Sequence, residues 1–326
     1  MVDLPGPLRA ALEAELDGYP IRELRTAADH LSQRYRDGHP AARPILSSPL
    51  DTAAYLTTRM PATYAAARQV FDRLAAALPE FQPRAMLDLG AGTGACTWAA
   101  ADAFPSLIWS HLVDSSAAAL AAAQRMLART TVHVTQDAER LDRAGATAAA
   151  GGFDLAVGGF LLGELDVDGQ DLVTTAMAGA ASVVTLIEPG TPAGYRRVLR
   201  ARASMVALGR RLLAPCPHEQ ACPLKATQDW CHFTVRLPRS TRHRQAKDGQ
   251  LGYEDEKYAY VVTANQPPVR RSARILRHPQ SRSGHVRMTV CTADRGIQDV
   301  TVSRRDRSAY QGARHANWGD TWEPDR

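Results

Sequence analysis

LDLGAGTGA, residues 87–95, decides the fold. A short apolar run carries Asp88 to its end and then breaks into three alternate glycines, Gly90, Gly92 and Gly94. Glycines at this spacing let a chain leaving a strand turn tightly and let its backbone approach a ligand closely. A helix that opens directly after such a turn points its free N–H groups at the same spot. The stretch therefore predicts a strand, a phosphate- or nucleotide-sized ligand at its end, and a helix.

The flanking chain repeats that alternation. AMLDLG is followed by a helix-like run to Pro105, LIWSHLVD ends at Asp114, and an Ala-rich helix is expected over 115–129. VHVTQD ends at Asp137, and FDLAVGGF and VVTLIEPG complete five strands. Strands alternating with helices predict an α/β domain, a mostly parallel sheet covered on both faces, and right-handed crossovers make it doubly wound. Asp114 is placed for ribose hydroxyls and Asp137 for an adenine. A dinucleotide domain would share the first acid but would not need the second. The series resembles class I S-adenosylmethionine-dependent methyltransferases. The expected S-adenosylmethionine site is Asp88, Gly90, Gly92, Gly94, Asp114 and Asp137.

Catalytic residues do not declare themselves. Where amino-methylating enzymes of nucleic acids carry an Asn/Asp-Pro-Pro-aromatic stretch, this chain reads GGFLLGELD (158–166). LIEPGTPAG (186–194) offers no cysteine for base-carbon methylation, and Cys96 reads as a small packing residue. Glu164 and Glu188 sit where a substrate could reach them, and each could equally cap a helix or hold the sheet end.

Residues 1–80 read as a helical cap, with apolar residues at three- and four-residue steps in LRAALEAEL, IRELRTAADHLSQRYR and TYAAARQVFDRLAAAL. A Pro-rich segment, 39–50, separates the last two. Three regions follow: 1–80 helical, 81–213 the cofactor domain with a long helix running to about 213, and 214–326 a basic C-terminal region. No run of about 18 strongly apolar residues is present, which excludes a membrane helix from the reading. Asp3, Glu13, Glu15 and Asp17 are unlike a transit peptide, so a cytoplasmic location is expected.

The net charge of +5 conceals a division. Residues 1–192 hold 14 basic and 22 acidic side chains, net −8, and residues 193–326 hold 25 and 12, net +13. A basic half points to a polyanionic partner. Arg236, Arg239, Arg242 and Arg244, with His243, are its densest run, and Arg270, Arg271, Arg274 and Arg277 form a second. Trp230, Phe233 and Tyr253 are candidates for stacking on unpaired bases.

Three of the five cysteines fall within 16 residues: Cys216, Cys222 and Cys231. Cys291 follows in HVRMTVC. Four thiolates suit zinc or an iron–sulfur cluster. Structural zinc favours cysteine pairs two to four residues apart, and no gap here is that short, so the layout fits a 4Fe–4S cluster better.

CPHEQACPL, WCHFTVRLPRS, YEDEKYAYVV, GHVRMTVCTADRG and ARHANWGDTW, in that order, resemble the methyltransferase-like family associated with the small ribosomal subunit. The likeness runs from about residue 55 to Trp322. It implies a class I methyltransferase-like domain, a 4Fe–4S cluster on Cys216, Cys222, Cys231 and Cys291, and binding to small-subunit rRNA during assembly. Two functions follow, an rRNA-binding assembly factor or an active rRNA methyltransferase, with a cluster-based redox sensor as a third.

Overall fold

The computed structural model describes residues 1–37, 45–140, 151–294 and 296–323. Half of the Pro-rich segment 39–50 lies outside these.

Four helices open the chain: α1 (Gly6–Glu15), α2 (Ile21–Asp37), α3 (Pro49–Thr58) and α4 (Met60–Ala77). Ser48 caps α3 by accepting the N–H of Asp51, with Pro49 in the first turn. The helix α4 is buried on every side from Met60 to Ala67, because alanines and Thr63 let neighbours pack close to its axis. The alternating βα units follow: β1 (Ala85–Leu89), α5 (Ala95–Ala103), β2 (Trp109–Asp114), α6 (Ala117–Leu127), β3 (His133–Ala138), β4 (Phe153–Gly159), α7 (Val167–Ala180), β5 (Ala181–Pro189) and α8 (Pro192–Ala207).

Strands β1 to β5 are parallel in the order β3-β2-β1-β4-β5. Alternation along β1 divides the core between two faces. Met86 joins a cluster with Phe71 of α4, Trp98 of α5 and Met126 of α6. Leu87 and Leu89 join Met177 of α7 and Val198 and Met205 of α8. Apolar strands covered on both faces are what a parallel sheet requires.

The sheet does not stop at residue 213. The helix α8 ends at Ala207, Gly209 follows at φ +81°, and β6 (Arg211–Ala214) is a strand where the long helix was expected to continue. The twelve-residue β8 (Tyr253–Ala264) pairs antiparallel with β5 along one edge. Its other edge is shared: β7 (Phe233–Pro238) covers Tyr253–Tyr258, and β6 covers Val262–Ala264. The cysteine-bearing loop, 215–232, leaves the sheet between those two partners. Beyond β7 lies the short α9 (Thr241–Ala246).

The chain ends in a second, antiparallel sheet of β9 (Ala273–Ile275), β10 (Gln280–Arg282), β11 (His285–Thr292), β12 (Gly296–Ser303) and β13 (Thr321–Trp322). On β11, Val286, Met288 and Val290 face a core shared with Ala309 and Ala313 of α10 (Arg307–His315). Cys291 points to the opposite face, toward the loop at 215–232. No helix of the described residues is long and apolar enough to cross a membrane.

Candidate cofactor pocket and cysteine cavity

The glycine loop forms as its sequence demands. Gly90, Gly92 and Gly94 all have positive φ, at +67°, +52° and +78°. Their surroundings differ. A Cβ on Gly90 would lie 2.8 Å from Leu161 Cδ1 and one on Gly94 2.9 Å from Leu127 Cδ1, whereas one on Gly92 would meet no atom within 4 Å. Gly90 and Gly94 thus serve packing, and Gly92 presents bare backbone to open space.

That space is a cavity of about 620 Å³, within the range of small-molecule sites. Gly90, Gly92, Asp114 and Ser115 line one side. The helical cap contributes Arg34, Tyr35, Tyr55, Arg59 and Thr63. Glu164, Glu188, Arg197 and Glu256 close the far end. Asp114 accepts the N–H of Gly92 and of Ser116, each at 2.8 Å, so it tethers the loop to the end of β2.

The other expected acids have different places. Asp88 is buried beneath the loop and does not line the cavity. Its Oδ2 accepts from Thr97 at 2.8 Å, its Oδ1 has no partner, and burial pushes its carboxyl up to about 7. It joins β1 to α5 and shapes the turn from behind. Asp137 is half exposed, pairs with His111 at 3.3 Å, and is not brought to the cavity wall. Its register opposite Val113 leaves it beyond the pocket's edge.

Glu188 holds the sheet end. Fully buried, it accepts the Leu162 N–H at 2.8 Å and Arg197 Nε at 2.6 Å. Glu164 faces the cavity, and burial, with Asp114 and Glu188 nearby, lifts its carboxyl to about 8. Arg59 lines the cavity, while Tyr64 is buried and bonded to Asp102.

Cys216, Cys222, Cys231 and Cys291 line one smaller cavity, about 40 Å³, between α8, the loop and the second sheet. Tyr195 donates to Cys222 Sγ at 3.3 Å, and His218 Nε2 lies 3.7 Å from Cys291 Sγ. Burial raises the thiols of Cys216, Cys231 and Cys291, the last to about 12. Among the described residues no group of three or more His, Cys, Asp or Glu is arranged to hold a metal ion. A tetrahedral zinc would need its sulfurs roughly 3.8 Å apart, from Zn–S bonds of about 2.3 Å. Neither the 4Fe–4S cluster nor the zinc alternative finds a preformed ligand group among the described residues.

Arginines fix this loop. Arg202, 5% exposed, gives Nη2 to the carbonyls of His218 and Gln220 and aims Nε at Cys216 Sγ, 3.4 Å away. Arg274, 6% exposed, bonds the carbonyls of Pro215 and Gly319. Arg271 pairs with Glu219, and Arg277 with Asp229 and the Trp230 carbonyl. Neither Arg202 nor Arg274 has a carboxylate partner among the described residues. Buried Arg210 also lacks one, but its N–H groups reach oxygens of Thr263, Ala178, Ala181, Asn265 and Ser182. The Nε of Arg202 has only a sulfur.

The run expected to meet RNA is largely spent on the fold. Arg236 pairs bidentately with Asp255 at 2.7 and 2.8 Å and lies 4.0 Å over the Tyr253 ring. Arg239 pairs with Glu254, and Arg242 donates to the carbonyls of Leu16 and Tyr19 on the helical cap. Only Arg244 of the four is exposed without a side-chain partner among the described residues. The organiser is Glu254, which also takes His243 at 2.8 Å and Lys247 at 3.1 Å. Burial opposes its ionisation, but His243 and Lys247 outweigh that and hold the carboxyl at about 2. Phe233 is buried in the core and unavailable to a base. Trp230 covers the cysteine cavity's flank, with Nε1 on the Gly190 carbonyl at 2.9 Å.

Strand order and glycine pocket together define a class I methyltransferase-like domain. Residues 49–323 match the family described as "Mitochondrial small ribosomal subunit Rsm22", and the chain belongs to that family. It is 27% identical to the human "Ribosome assembly protein METTL17, mitochondrial", across 97% of this chain and 70% of that protein. It is 25% identical to the Schizosaccharomyces pombe "Rsm22-cox11 tandem protein 2, mitochondrial", across 42% of this chain and 24% of that one. Similar solved structures include the plantazolicin methyltransferase BpumL with SAH (11% identity, TM-score 0.40, 80% of this chain and 100% of that one). Another is a putative RNA methyltransferase, PH1948 from Pyrococcus horikoshii (13%, TM-score 0.39, 61% and 81%). The fold assignment rests on the strand order rather than on those scores.

The relatives overturn the cytoplasmic expectation, since the human and fission-yeast proteins are mitochondrial. The acids on which it rested describe packing instead of destination. Glu13 is on the solvent face of α1, opposite Leu8, Ala11 and Leu12, and Glu15 pairs with Arg125.

Proposed function

We propose that this chain is an assembly factor of the small ribosomal subunit. In this reading it binds rRNA and uses its methyltransferase-like domain as an S-adenosylmethionine-binding platform. Cys216, Cys222, Cys231 and Cys291 hold a 4Fe–4S cluster that staples the loop to the second sheet. The family match supports the ribosomal part.

One observation carries the cluster. Two buried guanidiniums, Arg202 and Arg274, stand at a cavity walled by four thiols and have no carboxylate to neutralise them. A buried cation is costly unless it is paired or fully hydrogen-bonded, and Arg202, unlike Arg210, has an N–H that meets only a sulfur. Neutral thiols supply no counter-charge, whereas four thiolates on a cluster supply net negative charge where Arg202 Nε already points. The cluster's role would be structural, tying residues 215–232 to β11.

The test is anaerobic purification with iron, zinc and acid-labile sulfide counted per chain, followed by binding to small-subunit particles. About four irons and four sulfides are expected. One zinc without sulfide, or no metal at all, would sink the cluster. A loaded protein that ignores the particles would sink the assembly role.

A second reading, an active rRNA methyltransferase, is favoured by the 620 Å³ cavity and the open backbone of Gly92.

A further inference from the structure

Part of the positive charge that the fold does not consume gathers in one place. Among the described residues, Arg282, Arg287, Arg304 and Arg305 are exposed and make no side-chain hydrogen bond or ion pair. They are far from the 236–244 run in sequence and belong to the second sheet.

The pairing register gathers them. Arg282 stands opposite His285, and His285 opposite Ser303. Arg287 stands opposite Gln280 on one side and Thr301 on the other. Partners in an antiparallel ladder share a face, and residues two apart share it too. One face thus presents Arg282, His285 and Arg287 among hydroxyls and an amide. The Arg304 N–H donates to the Gly284 carbonyl at 2.8 Å, which brings Arg304 and Arg305 beside the same hairpin tip. The opposite face is closed by α10. Two acids lie nearby and keep their charge: Asp299, opposite Thr289 on the same face, accepts from Thr289 Oγ1, and Asp306 accepts from the Ala309 N–H, so the four arginines outnumber them.

We infer that this face, from Arg282 to Arg305, is the surface that grips the phosphate backbone of small-subunit RNA. Unpaired arginines on a flat ribbon repel one another until an anion joins them, and guanidinium forks match phosphate oxygens. Ser303, Thr301 and Gln280 add neutral donors of the kind that position a nucleic-acid backbone. A membrane surface would call for large apolar side chains among the cations, and this face has none. Cys291 lies on the same strand face as Arg287, two pairs further along, so the grip is continuous with the stapled loop. The inference rests on the RNA-binding reading above.

The experiment uses the full chain and isolated small-subunit rRNA, titrated over a salt series. Removing four phosphate contacts should lower the slope of log affinity against log salt by about 3, at roughly 0.7 per contact on single strands. The variant Arg282→Ala/Arg287→Ala/Arg304→Ala/Arg305→Ala should show that drop and at least a tenfold weaker affinity near 0.15 M salt. Its thermal midpoint should match the wild type, since the four side chains are exposed and make no hydrogen bond or ion pair. Arg236→Ala, which breaks a surface pair, should leave the slope unchanged. An unchanged slope and affinity in the quadruple variant would overturn the inference while RNA binding by the wild type still stands. Failure of the wild type to bind would remove the parent reading as well. Loss of binding to phosphatidylglycerol vesicles, with RNA binding intact, would make the face a membrane contact and also overturn it.

Discussion

The two cavities of this molecule are built on opposite plans. The pocket under Gly92 comes from the ends of neighbouring parallel strands, closed by a helical cap. Its shape is present in the polypeptide alone, because crossovers and glycine conformation dictate it. The cysteine cavity is assembled from α8, an irregular loop and a strand of another sheet, segments up to 75 residues apart from Cys216 to Cys291. Nothing in its backbone is periodic, and its walls carry charge without counter-charge. The first site is made by folding. The second, as proposed, is completed by what it binds, as in small metal-dependent units.

The largest effect should separate those plans outright. Cys291→Ser removes the proposed ligand that lies outside the loop. Iron and sulfide should fall to near zero, and residues 215–232 should become open to limited proteolysis. S-adenosylmethionine affinity, measured by calorimetry, should stay within about threefold, because the pocket keeps its own walls. Retention of wild-type iron would break the comparison, and so would equal loss at both sites.

Within the pocket, two glycines sharpen the same contrast on a smaller scale. Both sit at positive φ, which costs a residue with a side chain about 1–2 kcal/mol. Gly90→Ala adds a clash with Leu161, so overpacking contributes a further 1–3 kcal/mol. Gly92→Ala adds a methyl to open space and should be the milder change in thermal stability. For ligand affinity the order should reverse, with Gly92→Ala losing tenfold or more. If stability and affinity fall together in both variants, Gly92 is not where the backbone meets the cofactor. Gly92→Arg extends the test to function: a folded variant that still supports subunit assembly fits a platform, and one that fails while an rRNA methyl group disappears fits an enzyme.

The same division explains what the sequence revealed. The pocket was legible because its signal is local: LDLGAGTGA holds strand, turn and helix start in nine residues, and Asp114 closes the next unit. The cysteines were legible as a set by their rarity. Several of the arginines are paired within the fold, and their partners are remote in the chain. Arg239 meets Glu254, Arg271 meets Glu219, and Arg242 reaches carbonyls more than 200 residues away. A run of like charge reads as a free surface until strand register pairs it off. The antiparallel pairing of β7 with β8 sets Arg236 against Asp255, and only that pairing reveals EDEK (254–257) as the neutralising partner. Asp137 lies off the cavity's lining for a related reason: a strand end locates a residue along the sheet but not across the pocket's rim.

The smallest effect concerns Asp88, behind the glycine loop. Its carboxyl titrates near 7 in the fold and near 3.8 when exposed, because burial disfavours the anion and Oδ1 has no donor. A carboxyl raised on folding contributes stability that is complete below the unfolded value, and loses it as pH climbs through the folded one. Between about pH 4 and 7 the wild type should therefore grow less stable on this account. Asp88→Asn keeps the size, can still meet Thr97, and carries no charge to desolvate. Its thermal midpoint should equal or trail the wild type's at pH 5 and overtake it above pH 7. A constant offset across that range would mean that Asp88 is ionised throughout, with a counter-charge at Oδ1. A cationic ligand reaching through the loop would be such a counter-charge, so repeating the scan with S-adenosylmethionine, whose sulfonium is positive, tells the two causes apart.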